Sequence, residues 1–299
     1  MNDDGHGNGA NDFLIITDST CDMPQEMVDA LGIVILPIRV IVEGKEYAHY
    51  LDGRELGFHE FYEKLRAGVG AKTAAANTEE FLALMEPALA AGKDVLYLGF
   101  SSALSSTYSI GAMTAAQLAE KYPERRIYAV DTLCASFGQG LLVYLAAQQQ
   151  LQGKNIDEVR AYVEQTRPQL CHWFTVDDLQ HLKRGGRVSA AAAAFGTVLN
   201  IKPILHVDDE GRLIPVNKVQ GRITSIKALA KRMQETAIDP AGQVVFISHG
   251  DCEADAEFVA DEVRRRFGVQ DIHINYVGPV IGNHSGPGTL ALFFLGSRR

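Results

Sequence analysis

The residues best suited to chemistry lie in a glycine-rich stretch near the C-terminal end, GPVIGNHSGPGT (278–289). His284 and Ser285 are adjacent there, between the strand-like run HINYV and the apolar run TLALFFL. An imidazole and a hydroxyl can bind an anion or take part in proton transfer. Glycine permits positive φ and lets the backbone approach a ligand closely. We therefore expect a loop that forms one wall of a binding site, with a solvated turn as the alternative.

A second polar cluster, SSALSSTY (101–108), follows the apolar run DVLYLGF (94–100) at a predicted strand-to-helix junction. The first N–H groups of a helix and several hydroxyls together make a site for a carboxylate or phosphate. Helix capping alone would need only one of these serines. The pattern thus favours anion binding over simple capping.

The segment GFSSA (99–103) also has the form of a weak nucleophile elbow after a strand. Ser101 would then be the nucleophile, with His284 as its base and Asp131 as the group that orients the base. The elbow pattern is short and loose, so a serine hydrolase acting on acyl esters is kept as the alternative function.

Two further features of the sequence could contribute to binding an anion. KRGGRVS (183–189) places three cations around two glycines, and arginine is suited to bidentate recognition of carboxylate or phosphate. A solvated basic turn is the competing interpretation. Thr73 is either a hydroxyl donor to a ligand or a turn cap.

Composition excludes several classes of function. The 299 residues carry a net charge of −9 without a long basic run, which argues against nonspecific binding of nucleic acid. The four cysteines form no CxxC pair and the nine histidines show no metal-ligand spacing, so no metal site is predicted. No P-loop or complete dinucleotide fingerprint occurs, and no cofactor is expected.

The N-terminal segment MNDDGHGNGAND is acidic and glycine-rich, and it lacks the apolar core of a signal peptide. We predict a disordered tail over residues 1–12. No apolar run approaches the ~20 residues of a membrane-spanning helix, so a cytoplasmic location without a transmembrane segment is expected.

Apolar runs alternate with helical patterns in the N-terminal part of the chain, which predicts an α/β fold with a mainly parallel sheet. The C-terminal part is predicted to form a second α/β layer. Strands are predicted at 13–17, 33–42, 94–100, 126–130, 171–176, 202–207, 212–219 and 244–250, and helices at 24–31, 54–65, 78–89, 107–122, 136–150, 224–235 and before 267. DDEG (208–211) predicts a hairpin turn. A boundary near Pro168 divides the chain into an N-terminal α/β domain (13–168) and a C-terminal α/β domain (169–299).

Taken together, several segments resemble the DegV family of bacterial fatty-acid-binding proteins. The matching pieces, in family order, are TDSTCDMP (17–24), Lys72-Thr73, SSALSSTY (101–108), VDT (130–132), DDLQHLKRGGRVS (177–189), LNIKPIL (199–205) and GPVIGNHSGPGT (278–289). The resemblance implies two α/β domains with a long-chain fatty acid in a tunnel between them.

The resemblance also implies roles for individual residues. The carboxylate would be held by Thr73, by Ser105 or Ser106, and by His284. Arg184 and Arg187, with Ser285, would lie near the head group or support phosphate transfer. The sequence departs from the family at Ala74–Ala76, which removes a hydroxyl, and at Ser106, which replaces a glycine.

In the family, the bound acid is presented to a separate fatty acid kinase, which makes an acyl-phosphate for phospholipid synthesis. The protein itself would then be a carrier, not an enzyme. A lipid-sensing regulator without a kinase partner is the remaining alternative. A basic patch of five side chains predicts a docking surface for an acidic partner, or else a solvated helix face: Lys218, Arg222, Lys227, Lys231 and Arg232.

Overall fold

A computed structural model describes residues 13–189 and 200–299. The predicted tail (1–12) and most of the alanine-rich segment after Val188 lie outside these residues. The strands are β1 Phe13–Asp18, β2 Val34–Leu36, β3 Arg39–Val42, β4 Lys45–Ala48, β5 Ala71–Ala74, β6 Asp94–Gly99, β7 Ile127–Asp131, β8 Leu170–Thr175, β9 Ile201–Val207, β10 Leu213–Gln220, β11 Val245–His249, β12 Ile272–Tyr276 and β13 Leu290–Leu295. The helices are α1 Gln25–Leu31, α2 Phe58–Arg66, α3 Thr78–Ala90, α4 Thr107–Lys121, α5 Phe137–Leu151, α6 Ile156–Thr166, α7 Gln180–Arg184, α8 Arg222–Thr236, α9 Glu253–Phe267 and α10 Pro279–Ser285.

Three sheets organise the described part of the chain. A four-stranded sheet has the order β2-β1-β6-β7 and is parallel throughout. A six-stranded sheet has the order β10-β9-β8-β13-β11-β12, in which only the β11–β12 pair is parallel. A three-stranded antiparallel sheet has the order β4-β3-β5. The α/β class is confirmed, and the four-stranded sheet is the parallel sheet predicted for the N-terminal part of the chain.

The parallel sheet follows from its strand sequences. β1 and β6 are apolar and almost wholly buried, as expected for strands covered on both faces. Their carboxyl ends meet at one edge, where the Phe100 N–H donates to Asp18 (3.4 Å) and the Thr132 N–H donates to the Gly99 carbonyl (3.1 Å). Polar groups distant in sequence therefore lie together at this edge, the usual ligand-binding position in such sheets.

The predicted strand over 33–42 is wrong as a single element. The chain leaves the parallel sheet after β2 and enters the three-stranded sheet as β3. Pro37 lies at the break, where its missing N–H prevents a continuous ladder. The next N–H, that of Ile38, donates to the Ser19 hydroxyl (2.9 Å). The helix predicted from Arg54 begins only at Phe58.

Helix α5 lies between the two larger sheets. It is mostly apolar and its first seven residues are buried. Phe137 at its start packs against Phe246 of β11, with ring centroids 4.1 Å apart. One hydrophobic core includes residues from both sides of residue 168, such as Ile15 and Phe293. The parallel sheet uses strands before Pro168 and the six-stranded sheet uses strands after it, and the domain boundary there stays a prediction. In the part of the chain that the structure describes, no helix combines the length and hydrophobicity needed to cross a bilayer.

Candidate functional site

A cavity of about 270 Å³ lies between the carboxyl-end edge of the parallel sheet and one face of the six-stranded sheet. Its walls are mainly apolar and include Phe100, Leu104, Leu182, Val280 and Ile281. The face of the six-stranded sheet contributes Phe174 and Ala291, which are register partners, and Phe293 beside them on β13. Apolar walls with a few placed polar groups are typical of small-molecule sites.

The glycine-rich stretch at 278–289 forms helix α10 at this cavity, so the prediction of a loop is wrong there. Pro279 occupies the first helical position, where its fixed φ is favourable. The Gly278 N–H donates to the buried Asp22 carboxyl (3.0 Å), which anchors the start of the helix. Gly286 follows the helix with φ +84°, a conformation that favours glycine. His284 is thereby fixed on a helix rather than on a loop.

His284 and Thr73 form the central contact of the polar end of the cavity. The His284 Nε2 atom lies 3.0 Å from the Thr73 Oγ1 atom on β5. Burial, and then the charge of Arg187, lower the pKa of His284 to about 4, so the ring is neutral at pH 7. In the tautomer with a proton on Nε2, the ring donates to Thr73, and the threonine hydrogen is then directed to a ligand.

The serines predicted to bind an anion line the same cavity. Ser105 and Ser106 lie just before helix α4, and the Ser105 hydroxyl donates to Thr107 Oγ1 (3.0 Å). Ser285 is buried, and its hydroxyl has no hydrogen-bond partner among the described residues. A buried hydroxyl without a partner is destabilising unless a ligand or water satisfies it.

Arg187 brings a positive charge to this end of the cavity. Its Nε atom donates to the Leu104 carbonyl (3.2 Å), and its Nη1 atom donates to the Gly185 carbonyl. Burial lowers the pKa of the half-buried guanidinium. Within residues 13–189 and 200–299, no carboxylate of the protein pairs with it. The site therefore holds an uncompensated cation beside a neutral histidine and several hydroxyls, an arrangement that suits one carboxylate.

A second, more polar space of about 670 Å³ adjoins the cavity, and we name it the polar cleft. Thr73, Arg187 and His284 line both spaces, so the cleft meets the cavity at its polar end. Lys72, Asp178, His181, Arg184 and Asn283 line only the cleft. The two arginines of the basic turn are thus separated: Arg187 reaches the cavity, whereas Arg184 faces the cleft.

The structure does not assemble the hydrolase triad of Ser101, His284 and Asp131. Ser101 is fully buried, and its hydroxyl donates to the Gly211 carbonyl (2.8 Å). Asp131 accepts from the N–H groups of Ser102 and Leu133 instead of from a histidine. Neither residue lines the cavity. The Ser105 hydroxyl does line it, but its contact is to Thr107 and not to His284.

The basic patch lies elsewhere on the molecule. Lys218 is exposed on β10, and neither it nor Arg222 lines the cavity or the cleft. Arg222 pairs with Asp255 (2.8 Å) and lies 3.6 Å from Asp177. These two carboxylates offset the charge of Arg222, so little net positive charge remains there to attract an acidic partner. The docking role of the patch stays a prediction.

The cavity also holds polar residues that the sequence analysis did not assign to it. Ser136 precedes helix α5, Ser248 lies on β11 and His172 lies on β8, and all three line the cavity. His172 is neutral because burial lowers its pKa well below the usual value. The only signal in the sequence was the polar end of the apolar run VVFISHG (244–250), where Ser248 interrupts a buried strand.

One group in the described part of the chain has the spacing of metal ligands: His59, Glu63 and Asp251. The Arg66 guanidinium bonds both carboxylates, and the His59 Nδ1 atom lies 3.0 Å from Asp251. The Arg66 guanidinium thus already lies beside the two carboxylates, at the position that a metal cation would take. The cluster is an ion network that joins helix α2 to the turn after β11.

Comparison with known proteins agrees with this architecture. The family model described as an uncharacterised protein of the DegV family matches residues 12–297. A DegV domain-containing protein of Clostridium perfringens is 46% identical over 287 residues, which cover 96% of this chain and 98% of that protein.

Solved structures give the same result. A fatty-acid-binding DegV family protein from Thermus thermophilus superposes with a TM-score of 0.85 at 30% identity and covers 95% of this chain and 99% of its own. DegV of Bacillus subtilis, a fatty-acid-binding protein, has a TM-score of 0.81 at 27% identity, with 96% and 99% covered. With a family match over nearly its whole length, the chain belongs to the DegV family.

Proposed function

We propose that this protein binds one long-chain fatty acid, with the acyl chain in the apolar cavity and the carboxylate at its polar end. The observation that carries the proposal is the uncompensated Arg187 beside the His284–Thr73 pair, at the end of a cavity with apolar walls. The fatty-acid-binding relatives from Thermus thermophilus and Bacillus subtilis support the choice of ligand.

The energetics of burial favour an acyl chain. A C16 chain has about fourteen methylenes, and each contributes roughly 0.8 kcal/mol when it leaves water. The gross gain of ~11 kcal/mol exceeds the lower range of association costs, so the head group needs only to be oriented. Hydroxyl groups and one arginine are sufficient for that task.

The head-group contacts would leave the carboxylate reactive. Thr73, Ser105 and Ser106 offer neutral hydroxyl donors, and Arg187 is already bonded to two backbone carbonyls. A weakly held carboxylate keeps an oxygen with nucleophilic character, whereas a bidentate arginine clamp would reduce it. Ala74–Ala76 remove a potential donor, and the added hydroxyl of Ser106 lies on the cavity.

We further propose that the carboxylate is presented to a partner kinase in the cytoplasm, so that the protein acts as a carrier without a cofactor of its own. The polar cleft supports this step, because it meets the cavity at the head group and contains Lys72, His181 and Arg184. These side chains suit the phosphate that is transferred. A lipid sensor would need the cavity but not the cationic cleft.

Organic extraction of the purified protein, followed by mass spectrometry, tests fatty-acid binding. A free fatty acid in stoichiometric amount is the expected result, and its length and unsaturation would give the specificity. An extract without lipid, together with no uptake of added palmitate or oleate, would overturn the proposal. Turnover of acyl esters that depends on one serine would instead support the hydrolase.

Arg184→Ala should separate binding from presentation. Because Arg184 lines only the cleft, palmitate affinity is expected to stay within about threefold of wild type, while acyl-phosphate formation with a fatty acid kinase and ATP falls about tenfold. Arg187→Ala should reduce both quantities. Equal acyl-phosphate formation by wild type and Arg184→Ala would argue against a role of the cleft in phosphate transfer.

A further inference from the structure

The cavity has a second polar region away from the head group, which we name the inner polar group: Thr20, Ser136 and Ser248, backed by the carboxyls of Asp18 and Asp22. Thr20, Ser136 and Ser248 line the cavity. Their separation from the head group follows from helix α10. Asp22 bonds the Gly278 N–H before the helix, and His284 lies six residues later, ~9 Å along the axis.

The inner polar group is linked by a chain of hydrogen bonds. The Ser136 hydroxyl lies 2.5 Å from the Asp22 carboxyl, and the hydroxyls of Ser136 and Ser248 are 3.1 Å apart. Either hydroxyl can be the donor in the contact between Ser136 and Ser248. A hydroxyl can both donate and accept hydrogen bonds, so beside this one contact within the described residues Ser248 keeps unused hydrogen-bonding capacity on the cavity wall.

An unsubstituted acyl chain is a poor partner for this wall. Methylenes form no hydrogen bond with Ser248, so an unsubstituted chain leaves the remaining hydrogen-bonding capacity of this buried hydroxyl unused. The neighbouring positions on the same sheet face, Ala291 on β13 and Phe174 on β8, are apolar. Ser248 is therefore a polar residue beside apolar neighbours on this sheet face.

We propose that the inner polar group is a second subsite, which binds a hydroxyl group carried by the acyl chain, and that the ligands of this protein include hydroxylated long-chain fatty acids. The ligand hydroxyl would form a hydrogen bond with Ser248, several methylenes from the carboxylate. This inference rests on the proposed fatty-acid binding and makes its substrate class more specific.

The chemistry of the subsite limits which substituent of the acyl chain it can bind. A second carboxylate on the chain is disfavoured, because Asp18 and Asp22 already place two buried carboxyls behind the subsite. A keto group can only accept, whereas a hydroxyl can form a hydrogen bond with Ser248 whichever way the bond between Ser136 and Ser248 runs. An ammonium group would be desolvated against Phe174 and Phe293. A hydroxyl is neutral, donates one hydrogen and adds little volume to the chain.

The test is a comparison of stearate with stearates hydroxylated at successive mid-chain carbons. Affinities are measured by calorimetry for wild type, Ser248→Ala and the control Ser109→Ala, which removes an exposed hydroxyl from helix α4. For each protein, the affinity for an isomer is divided by its affinity for stearate. For one positional isomer this ratio should be about tenfold higher in wild type and in Ser109→Ala than in Ser248→Ala. The stearate affinity of each variant is the reference for its own isomers, so any general effect of the substitution on fatty-acid binding cancels.

Two outcomes would overturn the inference, and they are distinguishable. In the first outcome, every isomer binds more weakly than stearate, and the ratio of the two affinities is the same in wild type and Ser248→Ala. That result would disprove the subsite but leave the proposed fatty-acid binding intact. If neither stearate nor any isomer binds, the proposed function fails as well. Should Ser248→Ala not fold, a wild-type crystal structure with the preferred isomer decides, because its hydroxyl oxygen must lie within hydrogen-bond distance of Ser248.

Discussion

Gly185→Ala should weaken fatty-acid binding by about 10- to 100-fold, although residue 185 has no side chain in the site. A Cβ atom at Gly185 would lie 2.4 Å from His284 Nδ1, closer than non-bonded atoms can approach. Gly185 has φ −71°, so alanine is otherwise acceptable to the backbone. The imidazole must therefore move, and its contact with Thr73 is lost. Removing a hydrogen bond that serves a charged group costs about 1.5–3 kcal/mol.

The measurement is palmitate affinity by calorimetry, with Gly70→Ala as the control. Gly70 lines the same polar cleft, but a Cβ atom there would meet no atom within 4 Å. Gly70→Ala should bind like wild type. The ring signals of His284 in NMR spectra should shift in Gly185→Ala and not in Gly70→Ala. Unchanged affinity in Gly185→Ala would show that the position of His284 does not control binding of the carboxylate.

The predictable part of the fold is the part that local sequence determines. Strand β6 and helices α3 and α5 lie within one or two residues of their predicted bounds, because their hydrophobic periodicity is strong and their ends carry turn or capping residues. The Asn77 cap with Glu80 at the start of α3 is one such signal. The hairpin of β9 and β10 was likewise confirmed, because its turn residues are local.

The remaining elements depend on contacts between distant segments. Helix α10 has glycines and prolines that predict a loop, yet the distant Asp22 anchors its start and Tyr62 donates to the Val277 carbonyl beside it (2.7 Å). Strand β5, which carries Thr73, is identified only by its pairing with β3. Four-residue strands have too few positions to show a period, so the partner of His284 could not be derived from spacing alone.

The candidate site likewise contains residues that local sequence could select and residues that only distant contacts bring to the cavity. His284, Ser285 and the serines at 101–108 could be selected by residue type at predicted element ends. Thr73, Arg184 and Arg187 were candidates with a competing interpretation, and the resemblance assigned them to the head-group region. Within the inner polar group, Asp18 and Thr20 belong to TDSTCDMP (17–24), one of the segments that carry the resemblance. Ser136 and Ser248 could not be selected, because they are 112 residues apart and each is ordinary in its local sequence. Which serine faces a cavity is decided by the strand register of the six-stranded sheet, and periodicity does not give that register.

Asp22→Asn should make the protein more stable at alkaline pH. Burial raises the pKa of Asp22 from 3.8 to about 8, although hydrogen bonds from Ser136 and Gly278 favour the charged form. The carboxyl is therefore protonated in the native protein at pH 7 and ionised in the unfolded chain. Asparagine is neutral at every pH and keeps both contacts, since its oxygen accepts from Gly278 and its amide donates to Ser136.

The sign of the pH dependence follows from proton binding. Between the unfolded pKa near 4 and the native pKa near 8, the native state binds one proton more than the unfolded state at this site. Its contribution to the free energy of unfolding therefore falls as pH rises, by about 1.4 kcal/mol per pH unit at most. Summed over the window, the loss at this site reaches up to ~5 kcal/mol above pH 8.

Urea unfolding at pH 5, 7 and 9 measures this difference between wild type and Asp22→Asn. Titrations at other sites cancel in the comparison, so the advantage of the variant should grow with pH by several kcal/mol. The control is Asp52→Asn, at a carboxylate whose pKa is lowered by its hydrogen bond with Arg54. That residue is ionised in both states above pH 5, and its difference from wild type should not change with pH. A constant difference for Asp22→Asn would mean that the native carboxylate is already ionised, and that Ser136 and Ser248 are held by a charge rather than by a neutral acid.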